Sequence, residues 1–202
     1  MPAMCKPRPK CNRRPAAPAM SSTRLCSGLR RTIPRPGCEP ILFGKPKLTA
    51  ETAAAWLAEH APDLRIVENG QSVATVSEAA QALGVDAGRI AKTLALRIND
   101  QVMIVVARGD ARLDNAKCKA VFGARPRMLQ AAETETLTGH PVGGVCPFGL
   151  STPLQIFCDL SIRPFATVFP AAGSRTTSVE IEPDRLCSLV GAQWTDICRL
   201  AD

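Results

Sequence analysis

The pattern of apolar and polar residues along this chain is irregular at first and becomes readable from residue 48 onward. Leu48, Ala53, Trp56 and Leu57 recur at helical spacing in a run rich in Ala, Glu and Leu, so residues Thr49 to Ala61 are expected to form a helix that stops before Pro62. A second helix is marked by its ends. Thr75-Val76-Ser77-Glu78 has the form of a capping box, and Gly84 closes the stretch Glu78 to Leu83 as a C-terminal glycine. Two strands follow, Ile90 to Ile98 and Gln101 to Ala107, joined by Asn99-Asp100, which suits a tight hairpin turn. In the second strand Val102, Ile104 and Val106 share one face and Met103, Val105 and Ala107 the other. A strand apolar on both faces belongs in the middle of a sheet.

Further along, Asp114 is placed to cap a helix through Phe122, and Gln130 to Thr138 reads as another helix ending before Gly139. Strands are expected at Leu154 to Cys158, Thr167 to Phe169 and Ser178 to Glu182, then a helix at Asp184 to Val190 and a last strand at Trp194 to Cys198. Several connections are too short for right-handed parallel crossovers. The expected class is α+β, with a mixed and mostly antiparallel sheet.

Charge divides the chain in two. The 202 residues carry 25 Lys and Arg against 18 Asp and Glu, a net charge of +7. Residues 1–47 hold 11 Lys and Arg and only Glu39, which leaves +10 there and −3 on the remainder. The same segment holds nine of the 17 prolines, dispersed so that no helical or strand period survives, and reads as a disordered basic tail in front of a domain spanning 48–202. Three explanations of the tail stay open: a loose anchor for RNA, an organelle-targeting presequence that the prolines argue against, or upstream sequence preceding a true start at Met20. A basic DNA-binding domain is disfavoured, because the positive charge is absent from the part expected to fold. No apolar run is long enough to cross a bilayer. A cytoplasmic protein without a membrane association is the expectation. Nine cysteines, at positions 5, 11, 26, 38, 118, 146, 158, 187 and 198, include no C-x-x-C pair. They read as free thiols, neither a disulfide framework nor a zinc site, and no metal or cofactor is expected.

Three segments could carry chemistry. Period two puts Lys92 on the same face as Ile90, Leu94, Leu96 and Ile98, with Thr93 on the other. A lysine on an apolar face either snorkels out at the strand end or directs its ammonium into a cavity holding an anion or polar substrate, and pattern alone favours snorkelling. The second segment, Gly139 to Gly149, holds four glycines and two prolines in eleven residues. It can form a constrained loop whose main-chain N–H groups approach a ligand closely, or a plain surface connection. It fits neither standard glycine-rich phosphate fingerprint. The third, Ala171 to Ser178, is small and hydroxyl-rich, and can bind a polar ligand or simply turn the chain. His60 closes a helix and reads as structural. His140, beside the glycine loop, is a polar neighbour candidate. No nucleophile motif and no placed Cys/His pair is evident.

Taken in order, these segments resemble the YbaK and EbsC-like family of stand-alone aminoacyl-tRNA deacylases, related to the editing domain inserted in bacterial prolyl-tRNA synthetases. The matching stretches are Ser77-Glu78-Ala79-Ala80 with Leu83-Gly84-Val85, Ile90-Ala91-Lys92-Thr93-Leu94, Val106-Ala107-Arg108-Gly109-Asp110, Leu137-Thr138-Gly139 into Val142 to Gly149, and Ala171-Ala172-Gly173-Ser174. The similarity runs from about Thr49 to Arg199 and leaves the tail outside.

The resemblance implies a curled, barrel-like sheet flanked by helices, and trans-editing hydrolysis of the ester joining a wrong small amino acid to tRNA, with tRNA-Pro one possible carrier. Lys92 matches the family's essential lysine, and Gly143 with Pro147 its G-x-x-x-P loop, which turns the reading of Lys92 towards a pocket. On this reading Lys92, Gly143 and Gly144 act on the ester, the two glycines offering main-chain N–H groups to the oxyanion. Thr93, His140, Val145, Pro147, Phe148, Gly173 and Ser174 would surround the substrate, and Glu180 is the nearest candidate for an acidic residue that some relatives use to hold the amino acid. The expected partners are the acceptor end of an aminoacyl-tRNA and an aminoacyl-tRNA synthetase. The alternative is a catalytically silent protein of the same fold that binds a small ligand or a synthetase.

Overall fold

The computed structural model describes residues 50–200 apart from residues 71 and 74, so the tail expected at 1–47 lies outside the described residues. In chain order the elements are α1 (Ala50–His60), β1 (Ile66–Glu68), α2 (Val76–Leu83), β2 (Ile90–Ile98), β3 (Gln101–Arg108), β4 (Ala111–Leu113), α3 (Asn115–Phe122), β5 (Arg127–Met128), α4 (Ala131–Thr138), β6 (Gln155–Asp159), β7 (Phe169–Pro170), β8 (Thr177–Val179), α5 (Pro183–Leu189), β9 (Gln193–Thr195) and β10 (Cys198–Leu200).

Helix ends form through the chemistry that marked them in the sequence. Thr75 Oγ1 accepts from the Glu78 N–H and the Glu78 carboxylate accepts from the Thr75 N–H, both at 3.2 Å, while Gly84 takes φ 66° as the left-handed cap of α2. Asp114 Oδ1 accepts from the N–H groups of Ala116 and Lys117 at the start of α3. Asn99 has φ 54° in the turn between β2 and β3, which suits the short hairpin expected of Asn99-Asp100.

The main sheet runs β5-β2-β3-β6-β9, with β7 also pairing β2, and two antiparallel ribbons, β1 with β8 and β4 with β10, complete the strand set. Four of the seven strand pairings among the described residues are antiparallel, among them the longest, β2 with β3, so the class is α+β with mixed, mostly antiparallel pairing as expected. Among the described strands the path is open and closes no barrel. Three pairings are parallel: β2 with β7, β3 with β6, and β6 with β9. The short connections that argued against crossovers are real, but they join either antiparallel neighbours, as β2 with β3, or elements that are not sheet neighbours, as β3 with β4. The parallel partners are separated by whole helices, α3 and α4 in one case and α5 in another.

β3 is central, as its two apolar faces required. Ile104 and Val106 are fully buried on the side of Leu57, Phe148 and Leu186, whereas Met103, Val105 and Ala107 pack with Leu96, Phe157 and Ile197 on the other. Full burial of each such Val or Ile stabilises by about 1.5–3 kcal/mol, so this strand anchors both cores. The last expected strand, Trp194 to Cys198, is instead broken into β9 and β10. A buried carboxylate sits at the break: Asp159 Oδ2 accepts from the N–H groups of Ile197 and Cys198 at 2.8 and 3.0 Å, and its Oδ1 accepts from the Ser161 N–H at 2.9 Å. The five cysteines among the described residues are buried and free. Among those residues no helix is long and apolar enough to cross a membrane.

Candidate active site

Strand β2 has a gap on one side. β7 pairs it at Ile90 and Ala91, and β5 pairs it at Leu96 and Arg97, with Leu129 N–H donating to Ala95 O at 3.1 Å. Main-chain groups alternate in direction along a strand. Because Ala95 O points away from β3, the N–H and C=O of Thr93 do so too, and they face the unpaired interval. A cavity of about 270 Å³ opens there. Its wall includes Thr93 from β2, Gly143 and Val145 from the glycine loop, Ser174 and Thr177 from the hydroxyl-rich segment, and Asn69 from the segment after β1.

The glycine loop and the hydroxyl-rich segment, 30 residues apart in the chain, meet through their main chains. A Cβ on Gly144 would stand 2.7 Å from the carbonyl carbon of Ser174, a close approach that only glycine permits. Gly143 has φ 91°, another position that favours glycine, and Arg175 Nε donates to the adjacent Val142 O at 2.8 Å. The Gly144 N–H donates to Pro141 O at 2.8 Å. Its expected service as a second oxyanion donor is therefore corrected: that donor closes the loop's own turn. The Gly143 N–H has no main-chain partner among the described residues.

Lys92 borders the cavity and is half-buried. Its Nζ donates to the carbonyls of Gly109, at 3.0 Å, and Ala111. An ammonium has three donors, so one stays available, and among the described residues no carboxylate forms an ion pair with it. Burial lowers the Lys92 pKa below its ordinary 10.5. The amine is held by neutral carbonyls of two residues that do not themselves line the cavity, and its remaining donor can serve a phosphate or a carbonyl oxygen.

The remaining candidates divide. Thr93, Val145 and Ser174 line the cavity with Gly143 and Lys92. Pro147 lies in a separate groove with Trp56 and Leu150. Phe148 is fully buried and tilted against Trp56 at 5.7 Å between ring centroids. Gly173 takes φ 85° beside Ser174 but does not line the cavity. Glu180 also lies off the wall, engaged by Arg89 at 3.0 Å and by Thr167 Oγ1 at 2.6 Å. Among the described residues no carboxylate lines the cavity.

His140 is fully buried, and the structure supplies the Cys/His pair that the sequence did not reveal: Cys146 Sγ stands 3.7 Å from its Nδ1. Burial lowers the imidazole pKa to about 4 and raises that of the thiol to about 12. Both are neutral near pH 7, so this is core packing and not a thiolate nucleophile. His140 is thereby removed from direct substrate contact.

One residue was missed. Asn69 is 7% exposed, lines the cavity, and its Oδ1 has no partner; the same holds for Thr93 Oγ1 among the described residues. A buried oxygen left unpaired costs about 1–3 kcal/mol. In the sequence, Asn69-Gly70 signals only a turn. Among the described residues no group of three or more His, Cys, Asp or Glu is arranged to hold a metal ion.

A family model described as "Aminoacyl-tRNA editing domain" matches residues 71–189. The "Uncharacterized protein YwhH" of Bacillus subtilis is 44% identical over 136 residues, 66% of this chain and 87% of that protein. The "Putative Cys-tRNA(Pro)/Cys-tRNA(Cys) deacylase EbsC" of Enterococcus faecalis is 30% identical over 120 residues, 58% of this chain and 73% of that protein. A solved structure, "Crystal structure of a putative trans-editing enzyme for prolyl tRNA synthetase", superposes with a TM-score of 0.70 at 31% identity, covering 76% of this chain and 98% of the other.

Proposed function

The chain belongs to the aminoacyl-tRNA editing domain family, and from that premise we propose that it is a trans-editing deacylase, hydrolysing the ester of a small amino acid wrongly joined to tRNA. The observation that carries the reading is the cavity at the β2 gap. At about 270 Å³ it sits at the small end of ligand sites, which run roughly 300–1,000 Å³, a size suited to one small aminoacyl group.

Among the described residues the wall carries hydroxyls and Lys92 but no carboxylate, histidine or cysteine that would activate a nucleophile. An aminoacyl ester is already activated, so cleavage requires little beyond orientation and charge stabilisation. A water oxygen adds to the carbonyl carbon while the neighbouring ribose hydroxyl takes a proton from it and passes its own to the ester oxygen, and the carbon–oxygen bond to the ribose breaks with that oxygen leaving as a hydroxyl. The Gly143 N–H faces the developing oxyanion, and the third donor of Lys92 holds the terminal phosphate or the carbonyl oxygen. Partners are the acceptor end of tRNA and, through it, the synthetase that made the error.

The same absence of a titrating side chain other than Lys92 on the wall favours one rival, a silent binding protein. A deacylation panel of tRNAs charged with alanine, cysteine, serine and threonine separates the two. Turnover that falls at least about a hundredfold in Lys92→Ala, comparable to loss of an oxyanion donor, supports the enzyme. Binding without turnover of any ester supports the rival.

A further inference from the structure

The ribbon of β4 and β10 sets two arginines against each other. Arg112 stands directly opposite Arg199 in the antiparallel register, and both are exposed, while Ala111 and Cys198, on the other face, are buried. Residues so placed have Cβ atoms about 5 Å apart, and like charges there repel. The acidic neighbours in the chain are engaged elsewhere. Asp110 receives Arg108 at 2.6 and 2.8 Å, Asp196 pairs with Lys117 at 2.6 Å, and Asp114 caps α3. The N–H groups of Lys117 and Ala116 hold the Asp114 carboxyl below its ordinary range, and Arg199 adds to this without forming an ion pair. Among the described residues neither Arg112 nor Arg199 has an ion pair. The lysine of the site reaches the same ribbon, since Lys92 Nζ donates to the carbonyl of Ala111, the residue before Arg112.

We propose that Arg112 and Arg199 form a phosphate clamp that holds the backbone of the tRNA acceptor end beside Lys92. The proposal rests on the deacylase reading and adds the surface that receives the RNA. Residues 48–202 carry a net charge of −3, so the domain as a whole does not attract a polyanion, and capture needs positive charge concentrated in one place. A phosphate between the two arginines relieves the repulsion that the fold leaves standing, and each planar guanidinium offers it paired N–H donors. The location suits the task. The carbonyl that holds Lys92 Nζ belongs to the residue next to Arg112, so a strand seated on the ribbon runs past the lysine that borders the cavity. That adjacency favours RNA over an acidic protein as the occupant. Contacts to phosphate carry no sequence information. The clamp therefore positions any acceptor end and leaves the choice of amino acid to the cavity.

The test measures binding of uncharged, fluorescently labelled tRNA to the full-length protein by anisotropy across a salt series. The proteins are wild type, Arg112→Gln, Arg199→Gln, the double glutamine variant, a double lysine variant that keeps both charges, and Arg65→Gln as a control at an exposed arginine elsewhere. Residues 1–47 are present in all of them, so their +10 cancels in the comparison. Each single glutamine variant is expected to reduce the slope of log K against log salt by about 1, and the double by about 2. The double lysine variant and Arg65→Gln are expected to keep the wild-type slope. Melting temperatures of the glutamine variants are expected at or above wild type, because a like-charge pair has been removed. An unchanged slope in the double glutamine variant overturns the proposal and leaves the pair to an acidic protein. An equal loss in Arg65→Gln also overturns it, by reducing the effect to net charge, and so does a melting temperature below wild type, which would make the pair structural. Because uncharged tRNA is used, failure of the deacylase reading appears separately, as a slope that falls as expected in a protein that hydrolyses no ester.

Discussion

Replacing Gly144 by alanine measures how firmly the two loops of the site are joined. The new Cβ would lie 2.7, 2.8 and 3.1 Å from the C, Cα and N atoms of Ser174, well inside the 3.4 Å at which ordinary contact begins. All three are main-chain atoms, so no rotamer change relieves the overlap and one loop must shift. Overpacking of this kind costs about 1–3 kcal/mol, and each kcal/mol lowers the melting temperature of a domain this size by about 2–4 °C. Catalysis is expected to suffer more than stability, since a displacement of about 1 Å at a reacting centre can cost a hundredfold. Urea unfolding and single-turnover deacylation are the assays. Adding Ser174→Gly should rescue nothing, because the side chain of Ser174 is not what the Cβ meets. Gly143→Ala is the contrast: its Cβ would meet the Arg175 side chain at 3.1 Å, which can move, leaving mainly the strain of φ 91°. A Gly144→Ala protein within about 0.5 kcal/mol of wild type, or one rescued by Ser174→Gly, would refute the reasoning.

Thr75→Ala removes half of the capping box on α2 and should cost about 1 kcal/mol by equilibrium unfolding. Asp159→Ala strips the acceptor from three main-chain N–H groups, two of them buried with it, and should destabilise by about 2 kcal/mol or more, with hydrogen exchange accelerating first at Ile197 and Cys198. His140 has a folded pKa of about 4 against 6.5 for the free side chain. The unfolded chain therefore takes up the proton first, so the His140 contribution is fully present above about pH 6.5 and is lost as pH falls towards 4. The slope reaches at most about 1.4 kcal/mol per pH unit. His140→Phe should flatten that part of the stability profile, and an unchanged slope would show that the imidazole titrates normally.

What the sequence made legible was local. The α2 cap needs residues three apart, and the Asn99-Asp100 hairpin needs only its turn and two alternating flanks, so both form where expected. What stayed hidden depends on residues distant in the chain. β1 is three residues long and exists because β8, over a hundred positions later, pairs with it. Asp159 divides β9 from β10 across nearly forty residues, and no local pattern announces that. The site divides the same way. Lys92 stood out because a charge interrupted an apolar face, and the glycine loop because of its composition. His140 misled because adjacency to a loop does not fix direction: it turned into the core against Cys146. Asn69 could not be distinguished from an ordinary turn residue until its burial was known.

The interval in β2 between its two short neighbours has an evolutionary consequence. Thr93 offers its own N–H and C=O to the cavity, and these atoms are the same whatever residue occupies position 93. Side-chain substitutions around the cavity can therefore reshape it while those main-chain groups persist. Shape and scaffold are separately inherited, and a lineage can remodel the walls of the cavity without first dismantling the strand gap that opens it.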